Sequence, residues 1–255
     1  MDLGLRDRVV FVGGASRGIG LAIARAFLAE GAHVALAARG EEPLQAARAE
    51  LAASFADRSV LAVRADMCDP GDVDRAVSQV VAELGRLDCA VANAGSGRGP
   101  TGSQLDPGDW RTILDHNLMS AVLLCQRAAT EMHDGGALAL IGSIAGLGDF
   151  GAPLPYNVAK AALVRYARDL GRRLAPDGIR VNLVAPGNVL FPGGRWEQLL
   201  GEDREGVESY ISREVPMARF GSPEEIAAAV VFLCSEPASF ITGACLVADG
   251  GQLRA

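Results

Sequence analysis

Tyr156-Asn157-Val158-Ala159-Lys160 sets a phenol and an ammonium four residues apart. On a helix such positions share one face. An unperturbed tyrosine, with a pKa near ~10, is a poor base at neutral pH, and a nearby cation favours its phenolate. The pair thus suits the passing of a proton to and from an oxygen atom. Alone, the same spacing fits two solvated side chains equally well. A second group, Gly13-Gly14-Ala15-Ser16-Arg17-Gly18-Ile19-Gly20, is a glycine-rich turn. At the head of a helix it would offer unpaired N–H groups and a partial positive charge to a phosphate. Glycines also serve tight strand–helix turns for steric reasons alone, so context decides between the two.

The pattern of the chain supplies that context. Short β-branched runs alternate with longer, alanine-rich helical stretches. Strands are expected over 8–13, 33–38, 60–65, 87–92, 137–142, 179–184 and 244–247. Helices are expected over 18–30, from after the second strand to about 54, 70–84, 109–132, 155–175 and 223–234. A polar segment near 195–214 is left without a firm assignment. The glycine turn falls between the first strand and the first helix, as a phosphate cradle requires. Such alternation predicts a doubly wound, mostly parallel seven-stranded sheet of Rossmann type with helices on both faces. With no linker, repeat or low-complexity tract, residues 1–255 read as a single domain.

Composition bounds the function. The 255 residues are 49% hydrophobic but only 5% aromatic, which predicts an aliphatic core of strands buried on both faces. A net charge of −7 argues against nucleic acid or an anionic membrane as partner. No apolar run is long enough to span a bilayer, and no signal peptide is evident. Cys68, Cys89, Cys125, Cys234 and Cys245 form no CxxC pair and are odd in number. Neither a disulfide framework nor a metal site is expected, and a reducing cytoplasm is the expected compartment.

The spacing Gly14-x-x-x-Gly18-x-Gly20 differs from GxGxxG and resembles the TGxxxGxG of the short-chain dehydrogenase/reductase family, with Gly13 where that family usually has threonine. The resemblance covers nearly the whole chain and is of the 3-oxoacyl-carrier-protein-reductase type. It implies a catalytic tetrad of Asn117, Ser143, Tyr156 and Lys160, whose order and spacing match. Tyr156 would be the general acid or base, its pKa lowered by Lys160 and by a positive nicotinamide. Ser143 would orient the substrate oxygen, Lys160 hold the nicotinamide ribose, and Asn117 support a water chain to solvent.

The same resemblance implies a nicotinamide dinucleotide held by Gly14, Ser16, Arg17, Gly18, Ile19 and Gly20. Further cofactor contacts would come from Asp66 and Met67, from Asn93, Ala94 and Gly95, from Tyr156 and Lys160, and from Pro186, Gly187 and Val189. Ala92 stands where the family's NNAG motif has its first asparagine. The second strand ends in Ala38-Arg39, without the acid that favours NAD. Arg39 and Arg17 suit a 2′-phosphate, so NADP(H) is expected over NAD(H). After Pro186-Gly187, Phe191 replaces the threonine that contacts the carboxamide, leaving backbone groups such as Val189 N–H for that task. Residues 188–215 fall where the family keeps its variable substrate loop. Phe191 and Trp196, with Leu147, Phe150 and Leu154, are candidates for an apolar pocket wall; Arg195 reads as solvated and Trp196 as packing a lid helix. A small carbonyl or alcohol is the expected substrate, and a homotetramer or dimer the expected assembly.

Two other classes compete. Gly142-Ser143-Ile144-Ala145-Gly146 lacks the GxSxG spacing of a serine hydrolase, and His33, His116 and His133 do not follow in the order such an enzyme uses. A non-catalytic nucleotide sensor on the same fold would be expected to have lost part of the tetrad, which is intact here.

Overall fold

The computed structural model describes residues 2–254. Seven strands form one sheet: β1 (Val9–Gly13), β2 (His33–Ala38), β3 (Val60–Arg64), β4 (Cys89–Ala92), β5 (Gly136–Ile141), β6 (Ile179–Pro186) and β7 (Cys245–Ala248). Their spatial order is β3-β2-β1-β4-β5-β6-β7, and every neighbouring pair is parallel. The sheet is thus wholly, not mostly, parallel. The order reverses between β1 and β4, which opens a crevice beyond the carboxyl ends of those strands.

The helices are α1 (Gly18–Ala29), α2 (Glu41–Ser54), α3 (Pro70–Leu84), α4 (Pro107–Leu114), α5 (Ser120–Ala129), α6 (Leu154–Leu174), α7 (Arg195–Glu202), α8 (Arg204–Glu214) and α9 (Pro223–Cys234). Strand side chains alternate between two cores. Val10 and Val12 pack with α1, α2 and α9, while Val9 and Phe11 pack with α3, α5 and α6. Phe11 and Phe27 are fully buried, each contributing roughly 1.5–3 kcal/mol of transfer energy.

Local chemistry sets the helix ends. Asp69 caps α3 by accepting from Asp72 N at 2.8 Å, Pro70 begins the helix, and Gly85 closes it with φ 82°. Ser222 and Glu225 form a reciprocal capping box on α9. At the amino end of β4, the buried Asp88 carboxylate accepts from Val9 N at 2.8 Å and pairs with Arg8 and Arg86. This cluster ties β1 to β4 at the end of the sheet opposite the crevice.

The expected single helix over 109–132 is interrupted. Asp115–Met119 forms a π-helical turn between α4 and α5. Asn117 Nδ2 donates to the Ile113 carbonyl at 3.0 Å, so a side chain takes part in the widened stretch. The polar stretch 195–214 folds as the two helices α7 and α8. No helix among the described residues is long and apolar enough to cross a membrane.

Candidate active site

The glycine turn follows β1 into the crevice. Gly14 has φ +68°, and a Cβ there would come within 3.0 Å of the Ala94 backbone. Asn93 Nδ2 donates to the carbonyls of Gly13 (3.2 Å) and Gly14 (2.9 Å), so this asparagine braces the glycine turn and not its own loop. Helix α1 starts after Arg17 with no side-chain cap, which leaves its first N–H groups to an outside acceptor. Gly18, with φ +57°, has the Phe191 ring against it: a Cβ would lie 2.5 Å from that ring. The glycines therefore answer to packing as well as to any ligand. The uncapped helix head and the open backbone beside it fit a pyrophosphate. Ser16 and Ile19 are half-buried on this turn.

Arg39 is exposed at the end of β2. Its Nη1 lies 3.8 Å from Asp66 Oδ2 and 3.5 Å from His116 Nε2. Asp66 also accepts from Cys68 N at 3.0 Å. Met67 sends its side chain into the core, 4% exposed, beneath Gly13. Arg17 does not join Arg39: its Nη1 donates to Gly193 O at 3.3 Å, and Arg98 Nη2 reaches the same oxygen at 3.5 Å. Neither Arg98 nor His116 stands out in the sequence as a site residue. A lone arginine among glycines and a lone histidine beside Asn117 carry no pattern.

Ser143 follows β5, and its Oγ accepts from Ala145 N at 3.1 Å. Tyr156 and Lys160 lie on α6, where Pro155 stands in the first turn. Lys160 is 4% exposed; its Nζ donates to Ile141 O at 2.8 Å and lies 5.7 Å from the Tyr156 ring centroid. Asn117 is 2% exposed and accepts from Ser96 N at 2.9 Å. A Cβ on Gly95 would sit 2.8 Å from Asn117 Oδ1 and 3.6 Å from Lys160 Nζ, so these two side chains flank Gly95. One on Gly97 would sit 3.8 Å from Tyr156 Cζ. All four predicted tetrad side chains thus gather beyond the carboxyl ends of β4 and β5.

The electrostatics correct one expectation. Burial raises the Tyr156 pKa, opposed by an interaction with the Ser143 hydroxyl. Lys160 does not lower it in the chain itself. Burial of its own ammonium pulls Lys160 from 10.5 down to about 8. A phenol in this setting stays protonated at neutral pH, ready to give a proton; a further positive charge nearby is needed to make it a base.

At the far side of the crevice, Gly187 N donates to Ala248 O at 3.0 Å. Val189 pairs with Gly221 through Asn188 O and Leu190 N, which leaves the Val189 N–H outside that pairing. Trp196 stacks on Tyr210 of α8 (5.6 Å, 21°) and leans on Phe220 at 5.4 Å. Arg195 is exposed. Phe191 and Trp196 thus have separate partners, and Leu147 and Leu154 are exposed. His33 accepts from Ser59 N and His116 faces Arg39, so neither is a partner for Ser143.

Comparison with known proteins agrees with this geometry. The family model described as enoyl-(acyl carrier protein) reductase matches residues 14–252. Dehydrogenase/reductase SDR family member 4 of Oryctolagus cuniculus is 36% identical, covering 97% of this chain and 94% of its own. The 3-oxoacyl-[acyl-carrier-protein] reductase FabG of Escherichia coli (strain K12) is 34% identical, covering 98% and 99%. The crystal structure of L-sorbose reductase from Gluconobacter frateurii, complexed with NADPH and L-sorbose, superposes with a TM-score of 0.94 at 35% identity over 100% of both chains.

Proposed function

Because the chain belongs to the short-chain dehydrogenase/reductase family, a family of oxidoreductases acting on CH–OH and C=O groups, we propose that it moves a hydride between NADP(H) and a carbonyl or secondary alcohol, with Tyr156 as general acid and base. The observation that carries this reading is the gathering of Ser143, Tyr156, buried Lys160 and Asn117 at one end of the sheet.

The α1 head, with Gly14, Ser16, Gly18, Ile19 and Gly20, would hold the pyrophosphate. Arg39 would meet the 2′-phosphate, and Arg17 would join it on leaving Gly193. Asp66 and the Met67 backbone would border the adenine, and Asn93, Ala94 and Gly95 the central ribose. Lys160 would hold the nicotinamide ribose, and Pro186, Gly187 and the free Val189 N–H the carboxamide. A nicotinamide held there supplies the hydride in reduction and takes it up in oxidation.

The chain's own residues manage the proton. Ser143 Oγ and the Tyr156 hydroxyl both donate to the substrate oxygen, stabilising the charge that builds on it. Tyr156 then passes its proton to that oxygen; burial keeps the phenol protonated until it does. The resulting phenolate faces the Lys160 ammonium and is reprotonated through the buried Asn117–Lys160 side. Residues 188–215, carrying α7 and α8, serve as the substrate loop of one domain spanning 1–255.

Five free thiols fit a reducing cytoplasm. Copies of the chain associate as a tetramer or dimer on this reading, supported by exposed Phe232, Phe240 and Leu246 around the edge strand β7. Light scattering tests that.

The first test is titration of NADPH and NADH by cofactor fluorescence at equal salt, followed by turnover on a carbonyl panel. Tenfold tighter NADPH binding, about 1.4 kcal/mol, supports the arginine assignment. Failure to bind either sinks the proposal.

A further inference from the structure

The last described residues fold back into the molecule. Asp249 accepts from Gly251 N at 2.9 Å and Leu253 N at 2.6 Å, which coils the tail and turns Gln252 inward to 3% exposure. A primary amide has an acceptor end and a donor end, and Gln252 uses both. Its Oε1 accepts from Asn188 Nδ2 at 2.8 Å, and its Nε2 donates to Tyr210 Oη at 2.8 Å. Asn188 precedes Val189, whose N–H faces the nicotinamide end on the reading above. Tyr210 belongs to α8 and stacks on Trp196 of α7. The next residue, Leu253, reaches within 3.4 Å of where a Cβ on Gly148 would stand, five residues past Ser143.

We propose that Gln252 is a positioning residue: its amide fixes the α7–α8 lid to the nicotinamide-side loop at Asn188, so that cofactor binding at that loop sets the pose of Trp196 and the substrate pocket. The route is short and made of direct contacts, loop to amide to phenol to indole. A side chain of equal length without an amide leaves Asn188 and Tyr210 both unpaired. The lid then keeps its own aromatic stack but loses its tie to the loop. The proposal rests on the cofactor reading for loop 188–190.

The full chain contains two tryptophans, Trp110 and Trp196, so a Trp110→Phe background makes Trp196 the only indole reporter. NADP+ is the probe, since it does not absorb at the emission wavelength as NADPH does. In the parent chain NADP+ is expected to change Trp196 emission and acrylamide quenching. In Gln252→Met that change is lost, while the calorimetric NADP+ dissociation constant moves by less than about threefold. KM for a turned-over carbonyl rises by roughly tenfold, with kcat held within about threefold. Tyr210→Phe also uncouples Trp196 and adds nothing further on top of Gln252→Met, because the bond it breaks is one of the two that Gln252→Met already removes. An NADP+ response of Trp196 that survives Gln252→Met, or full additivity of the two substitutions, overturns the proposal. If Gln252→Met does not fold, Tyr210→Phe alone decides by the same response. If NADP+ fails to bind the parent chain, the cofactor reading falls and the coupling falls with it. Additivity of the two substitutions in ligand-free quenching then still judges the amide bridge.

Discussion

The Lys160 ammonium donates to the Ile141 carbonyl across 2.8 Å and so fastens α6 to the last residue of β5. Ser143 stands two residues beyond Ile141, and Tyr156 one helical turn before Lys160. This one bond therefore sets Tyr156 and Ser143 relative to each other.

Its pH dependence has a definite sign. Lys160 loses its charge as pH rises through about 8, against 10.5 in an ordinary setting. Reductive kcat/KM is expected to be level through neutral pH and to fall above about 8. Stability moves the other way. Between 8 and 10.5 the unfolded chain binds more protons at this position than the folded one, so the contribution of Lys160 to stability rises with pH and is lost as pH falls through about 8. Urea melts of wild type and Lys160→Met should show their stability difference shifting toward wild type by up to roughly 3 kcal/mol from pH 7 to 10.5. A difference that stays constant would remove the buried ammonium from the account.

Tyr156→Phe keeps the ring and removes the proton. Turnover should drop by roughly 10²–10⁴-fold, with NADPH affinity nearly unchanged. Retention of more than about a tenth of the rate would mean that Tyr156 is not the acid.

The arginine at the end of β2 faces an acid already: Arg39 lies 3.8 Å from Asp66. Replacing Ala38→Asp together with Arg39→Ile places a carboxylate where ribose hydroxyls are met and removes the cation. The ratio of NADPH to NADH dissociation constants should move toward NADH by at least about tenfold. An unmoved ratio would leave Arg39 a solvated strand-end charge.

Asp88 makes a prediction of the opposite kind. It is 5% exposed, accepts from Val9 N and pairs with two arginines. Asp88→Ala leaves that N–H and the Arg86 guanidinium without their partner and Arg8 with only the more distant Glu236, at a cost of about 2–4 kcal/mol. Calorimetry should show the Tm falling while kcat at 25 °C holds, because the cluster sits at the other end of the sheet from Tyr156.

The sequence conveyed the sheet because every strand is a short apolar run bounded by turn residues. The start of α3 was readable from Asp69-Pro70, whose cap the structure contains. The grouping of Asn117, Ser143, Tyr156 and Lys160 was readable because their spacing resembles that of a known family. The break at 115–119 was not, since apolar residues run on at a helical spacing of four through Leu114, Leu118 and Val122 as in an uninterrupted helix. The pose of Arg17 was hidden too, because its acceptor, Gly193 O, is a backbone atom 176 residues away. Gln252 had no signal at all: an isolated glutamine near the end of a chain acquires meaning only when the tail coils inward.

The π-helical turn at Asp115–Met119 holds one residue more than an α-turn would. Each helical residue advances the azimuth by about 100°. An evolutionary deletion of a single codon here would restore a regular helix, yet swing either Asn117 or the whole buried stripe of α5 away from its target. The wide turn acts as a phase shifter, letting one continuous rod aim Asn117 at Ser96 and Leu124 at the core. Substitutions along α5 should accordingly be tolerated far better than any change in its length.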